Sequence, residues 1–187
     1  MNKYIEELME KLNTTEIDQG DIRAISYDSG IQMLIEKFLV HKKKQSKVFF
    51  IGNGGSSAIA SHMTADFMKN GKMNTYSLYD NAVTTCMGND YGYEFVFSKP
   101  LEFLMKPDDL LVAISSSGNS QNIVNAIHAA HQCSGSVVTF TGFLPGNTAR
   151  KLGDANVYVP CEKYGIVESI HNLILQQIVD SIMEQEQ

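Results

Sequence analysis

The feature that most narrows the fold is a set of short, wholly apolar runs separated by amphipathic stretches. Val48-Phe49-Phe50-Ile51 and Leu110-Leu111-Val112-Ala113-Ile114 show no alternation of polar and apolar residues, which is the pattern of strands buried on both faces. Strands are predicted at residues 47–51, 75–78, 110–114, 136–141 and 155–159. Helical spacing fills the intervals at 57–69, 93–105, 119–131, 147–152 and 167–183. Strands and helices in alternation predict an α/β chain, a three-layer αβα sandwich around a parallel sheet of about five strands.

Two helices are predicted ahead of the first strand. Ile5, Leu8, Met9 and Leu12, then Ile22, Ile25, Ile31, Leu34, Ile35, Phe38 and Leu39, recur at helical intervals. Lys42, Lys43 and Lys44 are expected to close the second helix, where cations meet the negative end of its dipole. No Pro-rich linker or repeat divides the 187 residues, so one domain is expected: residues 1–45 as helices serving oligomerisation, and 46–187 as the α/β core. The leading helices carry more apolar periodic positions than a solitary surface helix requires, which predicts self-association.

Composition removes several functions. A net charge of −6 and a pI near 5.3 oppose nucleic-acid binding, which needs clustered cations to neutralise phosphates. Cys86, Cys133 and Cys161 are odd in number and lack C-x-x-C spacing, so neither a disulfide framework nor a thiolate metal site is expected. No apolar stretch reaches membrane-spanning length, and Glu6 and Glu7 stand where a signal peptide needs an apolar run. A cytoplasmic protein without membrane contact is the expectation. The acidic tail of Glu184, Gln185, Glu186 and Gln187 is read as a solvated end.

Two turns carry the chemistry, each following a strand and opening a helix. Gly52-Asn53-Gly54-Gly55-Ser56-Ser57 lets the backbone approach a ligand closely while the helix start offers unpaired N–H groups to an anion. It lacks both the G-x-G-x-x-G spacing and the P-loop Lys, so nucleotide binding is not indicated, and a tight turn without ligand is the alternative. Ser115-Ser116-Ser117-Gly118-Asn119-Ser120 gathers four hydroxyls at a helix start, enough to surround a phosphate without Arg or Lys. Helix capping alone would need only Asn119 or Ser120.

The segments Gly52-Asn53-Gly54-Gly55-Ser56, Gly88-Asn89-Asp90-Tyr91-Gly92 and the serine turn are similar, in order and spacing, to three signature turns of the phosphoheptose isomerase branch of the sugar isomerase (SIS) family. The resemblance covers nearly the whole chain. It implies an aldose–ketose isomerase converting sedoheptulose 7-phosphate to D-glycero-D-manno-heptose 7-phosphate, a homotetramer with sites at subunit interfaces, and assistance from zinc or another divalent metal. By position, it implies that Asn53, Gly54, Gly55 and Ser56 line the sugar and that Asn89 and Asp90 contact its hydroxyls. Ser115, Ser116, Ser117 and Ser120 then hold the phosphate.

Aldose–ketose isomerisation needs a base within reach of both carbons and a means of stabilising the developing oxyanion. His62 and Asp66, four apart on one helix, suit either a pair of metal ligands or a surface hydrogen bond. In the resembling enzymes these positions are a metal-binding His and Glu, and Asp66 is one methylene shorter. The last helix of the family carries a Gln and, eight residues later, a His; this chain has Glu168 and Gln176. Gln176 cannot titrate, whereas Glu168 adds a carboxylate. The resemblance therefore assigns catalysis to Asp66 and Glu168 and metal ligation to His62, Asp66, Glu168 and Gln176. His171, three residues beyond Glu168, is read as a structural residue or a participant. Two other functions stay open: a SIS sugar-phosphate-binding or regulatory protein without turnover, and an isomerase for a shorter sugar phosphate.

Overall fold

The computed structural model describes residues 2–20, 22–23 and 26–185, with the backbone alone for Arg23. Ile25, expected in the second helix, and the tail residues Glu186 and Gln187 lie outside them. Helix α1 (Lys3–Asn13) starts at Asn2, whose side-chain oxygen accepts the Tyr4 N–H at 2.9 Å. No residue of α1 is buried, although Leu8 and Leu12 lean against the core.

Two antiparallel strands follow, β1 (Glu16–Gln19) in the interval between the two expected helices and β2 (Ile22–Arg23) at the expected start of the second. Ile22 stands in β2, so the second helix begins later than the apolar spacing predicts. Helix α2 (Tyr27–Lys44) opens at Ser26 through a reciprocal cap. Ser26 Oγ accepts the Ser29 N–H at 3.2 Å, and Ser29 Oγ accepts the Ser26 N–H at 3.0 Å. It ends at Gln45 in a left-handed conformation with Lys42, Lys43 and Lys44 in its last turn.

The remainder runs β3 (Lys47–Gly52), α3 (Gly55–Lys69), β4 (Asn74–Ser77), α4 (Asn81–Tyr91), a 3-10 turn (Tyr93–Phe95), α5 (Ser98–Leu104), β5 (Leu110–Ser115), α6 (Gln121–Gln132), β6 (Ser136–Thr141), α7 (Thr148–Leu152), β7 (Ala155–Tyr158) and α8 (Tyr164–Glu184). Among the described residues the sheet has seven strands in the order β2-β1-β7-β6-β5-β3-β4. The five predicted strands form its parallel part, and β1 and β2 extend the β7 edge antiparallel. Helix α4 was not expected, because none of its residues is buried and it leaves no apolar stripe in the sequence. The single helix expected over 93–105 is instead the 3-10 turn and α5.

Alternate residues of the buried strands feed two cores. Val48, Phe50, Val112, Ile114, Val138 and Phe140 face α2, α3 and α8. Phe49, Ile51, Leu111, Ala113 and Val137 face α5 and α6. Phe67 of α3 is fully buried between Phe38 of α2 and Phe50 of β3, with ring centroids 4.9 and 5.2 Å away. His171 of α8 is fully buried, and its Nε2 lies 3.0 Å from the Thr141 carbonyl oxygen. A carbonyl only accepts, so Nε2 carries a proton.

Phe67→Ala is expected to cost about 3–5 kcal/mol in urea denaturation, since three packed rings lose their middle member. Burial lowers the His171 pKa to about 4, and burial also lowers that of His41. The unfolded chain protonates these rings first, so their contribution is complete above about pH 6.5 and is lost as pH falls towards 4. For His171 the loss amounts to roughly 3 kcal/mol. Denaturation at pH 7 and pH 5 is expected to show a smaller decrease for His171→Gln than for the wild type.

Candidate functional site

Strand order places the site. From β3 the chain crosses through α3 to β4 on one side, and β5 lies on the other side of β3. The order reverses between β3 and β5, and a crevice opens at the carboxyl ends of such a pair. The β3–β5 ladder ends with Gly52 opposite Ile114, so the glycine turn and the serine turn leave the sheet side by side.

In the serine turn, Ser120 is the N-cap of α6 but its side chain makes no capping bond, which disfavours capping as the reason for the cluster. Ser115 Oγ accepts the Gly118 N–H at 3.2 Å and Ser117 Oγ accepts the Asn119 N–H at 3.4 Å. Ser116 Oγ is buried without a partner, as is Thr141 Oγ1 at the end of the neighbouring strand. A buried hydroxyl is ordinarily satisfied, and an unsatisfied one calls for a ligand or water. The turn is braced from β6 and α7. Gly142 N–H donates to the Ser116 carbonyl at 2.9 Å, Ala149 N–H donates to the Gly118 carbonyl at 2.8 Å, and Asn119 Oδ1 accepts the Thr148 N–H at 3.0 Å.

In the glycine turn, Tyr79 clamps Gly52: its hydroxyl accepts the Gly52 N–H at 2.6 Å and donates to the Gly52 carbonyl at 2.8 Å. Burial raises the Tyr79 pKa, which keeps the hydroxyl protonated for that donation. Ser56 is buried beside Gly52. The Glu168 carboxylate of α8 lies against Gly55 so closely that a β-carbon there would collide with it. Glycine at 55 thus lets a carboxylate reach the start of α3, where N–H groups are unpaired. Partial burial raises the Glu168 pKa above the ordinary carboxylate range.

Asn53 is more heavily engaged than the sequence indicates. Its Nδ2 donates to Asn122 Oδ1 at 2.9 Å, and its Oδ1 accepts from Asn122 Nδ2 at 2.9 Å and from the Tyr93 hydroxyl at 3.0 Å. Asn122 and Tyr93 were missed as site residues because an Asn inside a helix and a Tyr beside a turn carry no motif. Asn89 and Asp90 lie in the last turn of α4 rather than in a loop. Asn89 Nδ2 donates to Asp90 Oδ1 at 2.8 Å, and among the described residues neither side chain bonds to the glycine or serine turn.

The four expected metal ligands are not drawn into one cage. His62 Nε2 and Asp66 Oδ2 pair at 3.2 Å. Glu168 is turned onto Gly55, and Gln176 Nε2 donates to Asp180 Oδ1 at 3.2 Å. Glu168 and Gln176 are eight residues apart, about 12 Å along the axis of α8. Among the described residues no group of three or more His, Cys, Asp or Glu is placed to hold a metal ion. The donor set of one chain therefore does not fit zinc.

Comparison with known proteins agrees with this architecture. The model of the SIS domain matches residues 4–142. A phosphoheptose isomerase of Thiobacillus denitrificans is 32% identical over 177 residues, covering 90% of this chain and 87% of that one. The solved phosphoheptose isomerase of Francisella tularensis superposes with a TM-score of 0.84 at 27% identity, covering 98% of this chain and 96% of that one. That of Neisseria gonorrhoeae gives a TM-score of 0.76 at 32% identity over 81% of this chain and 84% of that one. The fold, the paired turns at the strand reversal and these likenesses together make the chain a member of the SIS domain family, in its phosphoheptose isomerase branch.

Proposed function

We propose that the chain is an aldose–ketose isomerase that interconverts sedoheptulose 7-phosphate and D-glycero-D-manno-heptose 7-phosphate. The observation that carries this reading is the Glu168 carboxylate held at Gly55, at the start of the helix that leaves the glycine turn, after the strand next to the one that leads into the serine turn. Relatives bearing the name phosphoheptose isomerase at 30–35% identity support the substrate class. In this reading the hydroxyls of Ser115, Ser116, Ser117 and Ser120 and the start of α6 hold the phosphate. The turn at 53–56 receives the sugar, and Asn89 and Asp90 meet its hydroxyls from α4. The Glu168 carboxylate takes a proton from C1 of the ketose and returns it to C2 while the hydroxyl proton of O1 passes to O2, and its raised pKa makes it the stronger base. Asp66, held by His62 on the same helix as Gly55, is the second carboxylate.

Zinc, which the family resemblance implies, would need donors beyond this chain, and no step is assigned to it. A tetramer with sites between subunits is part of the proposal, as is a single domain. It is supported by Tyr4, Ile5 and Met9, which α1 leaves exposed, and by α4, which buries nothing. A cytoplasmic setting fits three free thiols. A second reading, binding without turnover, is favoured by one observation: Gln176, in place of the titratable His of the resembling enzymes, is occupied with Asp180.

Following the interconversion by nuclear magnetic resonance decides between them. The wild type is expected to turn over, and Glu168→Gln to lose about 100-fold or more in kcat with a smaller change in KM. Absence of turnover in the wild type would leave the binding reading. The acid limb of kcat/KM is expected above the ordinary carboxylate range, because activity needs ionised Glu168 and its pKa is raised. Treatment with a chelator is expected to leave thermal melting unchanged, because His62 and Asp66 already satisfy one another; a lowered melting temperature would restore the four-residue metal set.

A further inference from the structure

The two turns leave the sheet on separate strands, and the β3–β5 ladder ends at Gly52 and Ile114. Beyond that point, among the described residues, no backbone hydrogen bond joins one turn to the other. The gap is bridged by a reciprocal amide pair, Asn53 with Asn122, both bonds 2.9 Å long. Asn122 is the second residue of α6, directly after the serine turn, and only 3% of it is exposed. Withdrawal of either amide would strand buried polar atoms, so the pair is costly to open.

Tyr93 makes the bridge directional. Its hydroxyl is a second donor to Asn53 Oδ1, and the 3-10 turn that carries it is tied to α6 by Asn125 Nδ2 donating to the Glu94 carbonyl at 2.8 Å. Asn53 Oδ1 therefore takes two donors, while Nδ2 gives one proton to Asn122 and keeps one. An amide so held can offer a ligand only an N–H, and it must meet an acceptor oxygen.

We propose that Asn122, with Tyr93, is a positioning residue that fixes the span between the glycine turn and the serine turn, and so the length of sugar phosphate that fits both. This rests on the proposed reading of phosphate at the serine turn and sugar at Asn53. Asn122 touches neither end of the ligand; it acts through Asn53. A ketose phosphate of the right length meets the free N–H of Asn53 while its phosphate sits among the hydroxyls. A shorter one reaches only one of the two.

Inorganic phosphate and ketose phosphates of five, six and seven carbons are titrated calorimetrically into the wild type, Asn122→Ala, Tyr93→Phe and the double variant. Amide exchange across residues 52–57 is followed with inorganic phosphate alone. Each substitution is expected to change phosphate affinity by less than about twofold and to weaken the preferred ketose phosphate roughly tenfold, flattening the preference for chain length. The double variant is expected to be no worse than Asn122→Ala, because both side chains act through one oxygen. Phosphate is expected to slow exchange at 52–57 in the wild type but not in Asn122→Ala. Equal losses for phosphate and sugar phosphate, or protection that survives in Asn122→Ala, would overturn the inference. Tyr93 is 62% exposed, so Tyr93→Phe supplies the same comparison if Asn122→Ala does not fold. Transmitted protection in a wild type that turns over no ketose phosphate would support the positioning role and remove only the isomerase reading.

Discussion

The parallel pairing of β3 with β5 is the constraint on which the site depends. It joins strands that are separated in sequence by α3, β4, α4, the 3-10 turn and α5, and it requires the chain to reverse its direction of travel across the sheet. Both strands are buried on both faces, so apolar burial holds the pairing rather than any residue of the site. Once the ladder is formed, the glycine turn and the serine turn have nowhere to emerge except beside each other. Polar groups that would be costly in the core are thereby gathered at the sheet rim, where a ligand can satisfy them.

Gathering them carries a cost that the surrounding structure offsets. Ser116 Oγ and Thr141 Oγ1 are buried and unpartnered, and the Glu168 carboxylate is partly desolvated. Each lowers the stability of the fold for as long as the hydroxyl lacks a partner or the carboxylate stays charged. The cores on either side hold this arrangement in place. Around the site, Tyr79 on Gly52 and the α7 contacts to Asn119 and Gly118 leave the turns little freedom to collapse onto their own donors.

How much was legible in the sequence follows from which signals burial creates. Strands β3 and β5 were readable because burial on both faces writes continuous apolar runs at 48–51 and 110–114. Helix α4 was not, because it buries nothing and leaves no periodicity, and β1 and β2 were not, because β1 buries only Ile17 and Thr15 precedes it as an isolated buried residue. The glycine and serine turns announced themselves by composition. Asn122 and Tyr93 did not, since what matters about them is a distance across the fold to Asn53, which no local spacing encodes. The ligand set of His62, Asp66, Glu168 and Gln176 was drawn from resemblance, and what the sequence does not encode is that Glu168 turns onto Gly55 while Gln176 is bonded to Asp180.

The rotation of α8 links the serine turn to the Glu168 carboxylate. Its core stripe of Val167, Ile170, Ile174 and Ile178 is fully buried, and a helix so anchored cannot turn without exposing apolar surface. Glu168 follows Val167, about 100° around the helix, which puts its carboxylate at the rim instead of in the core. Val167 in turn lies so close to Gly142 that a β-carbon there would meet its methyl groups at 2.8 and 3.0 Å. The Gly142 N–H donates to the Ser116 carbonyl inside the serine turn. One close approach, Val167 on Gly142, thus seats both the helix that carries the carboxylate and the turn that carries the hydroxyls. A side chain larger than hydrogen at 142 would press on Val167 and on the Ser116 carbonyl at once, and so move the Glu168 carboxylate and the serine turn together.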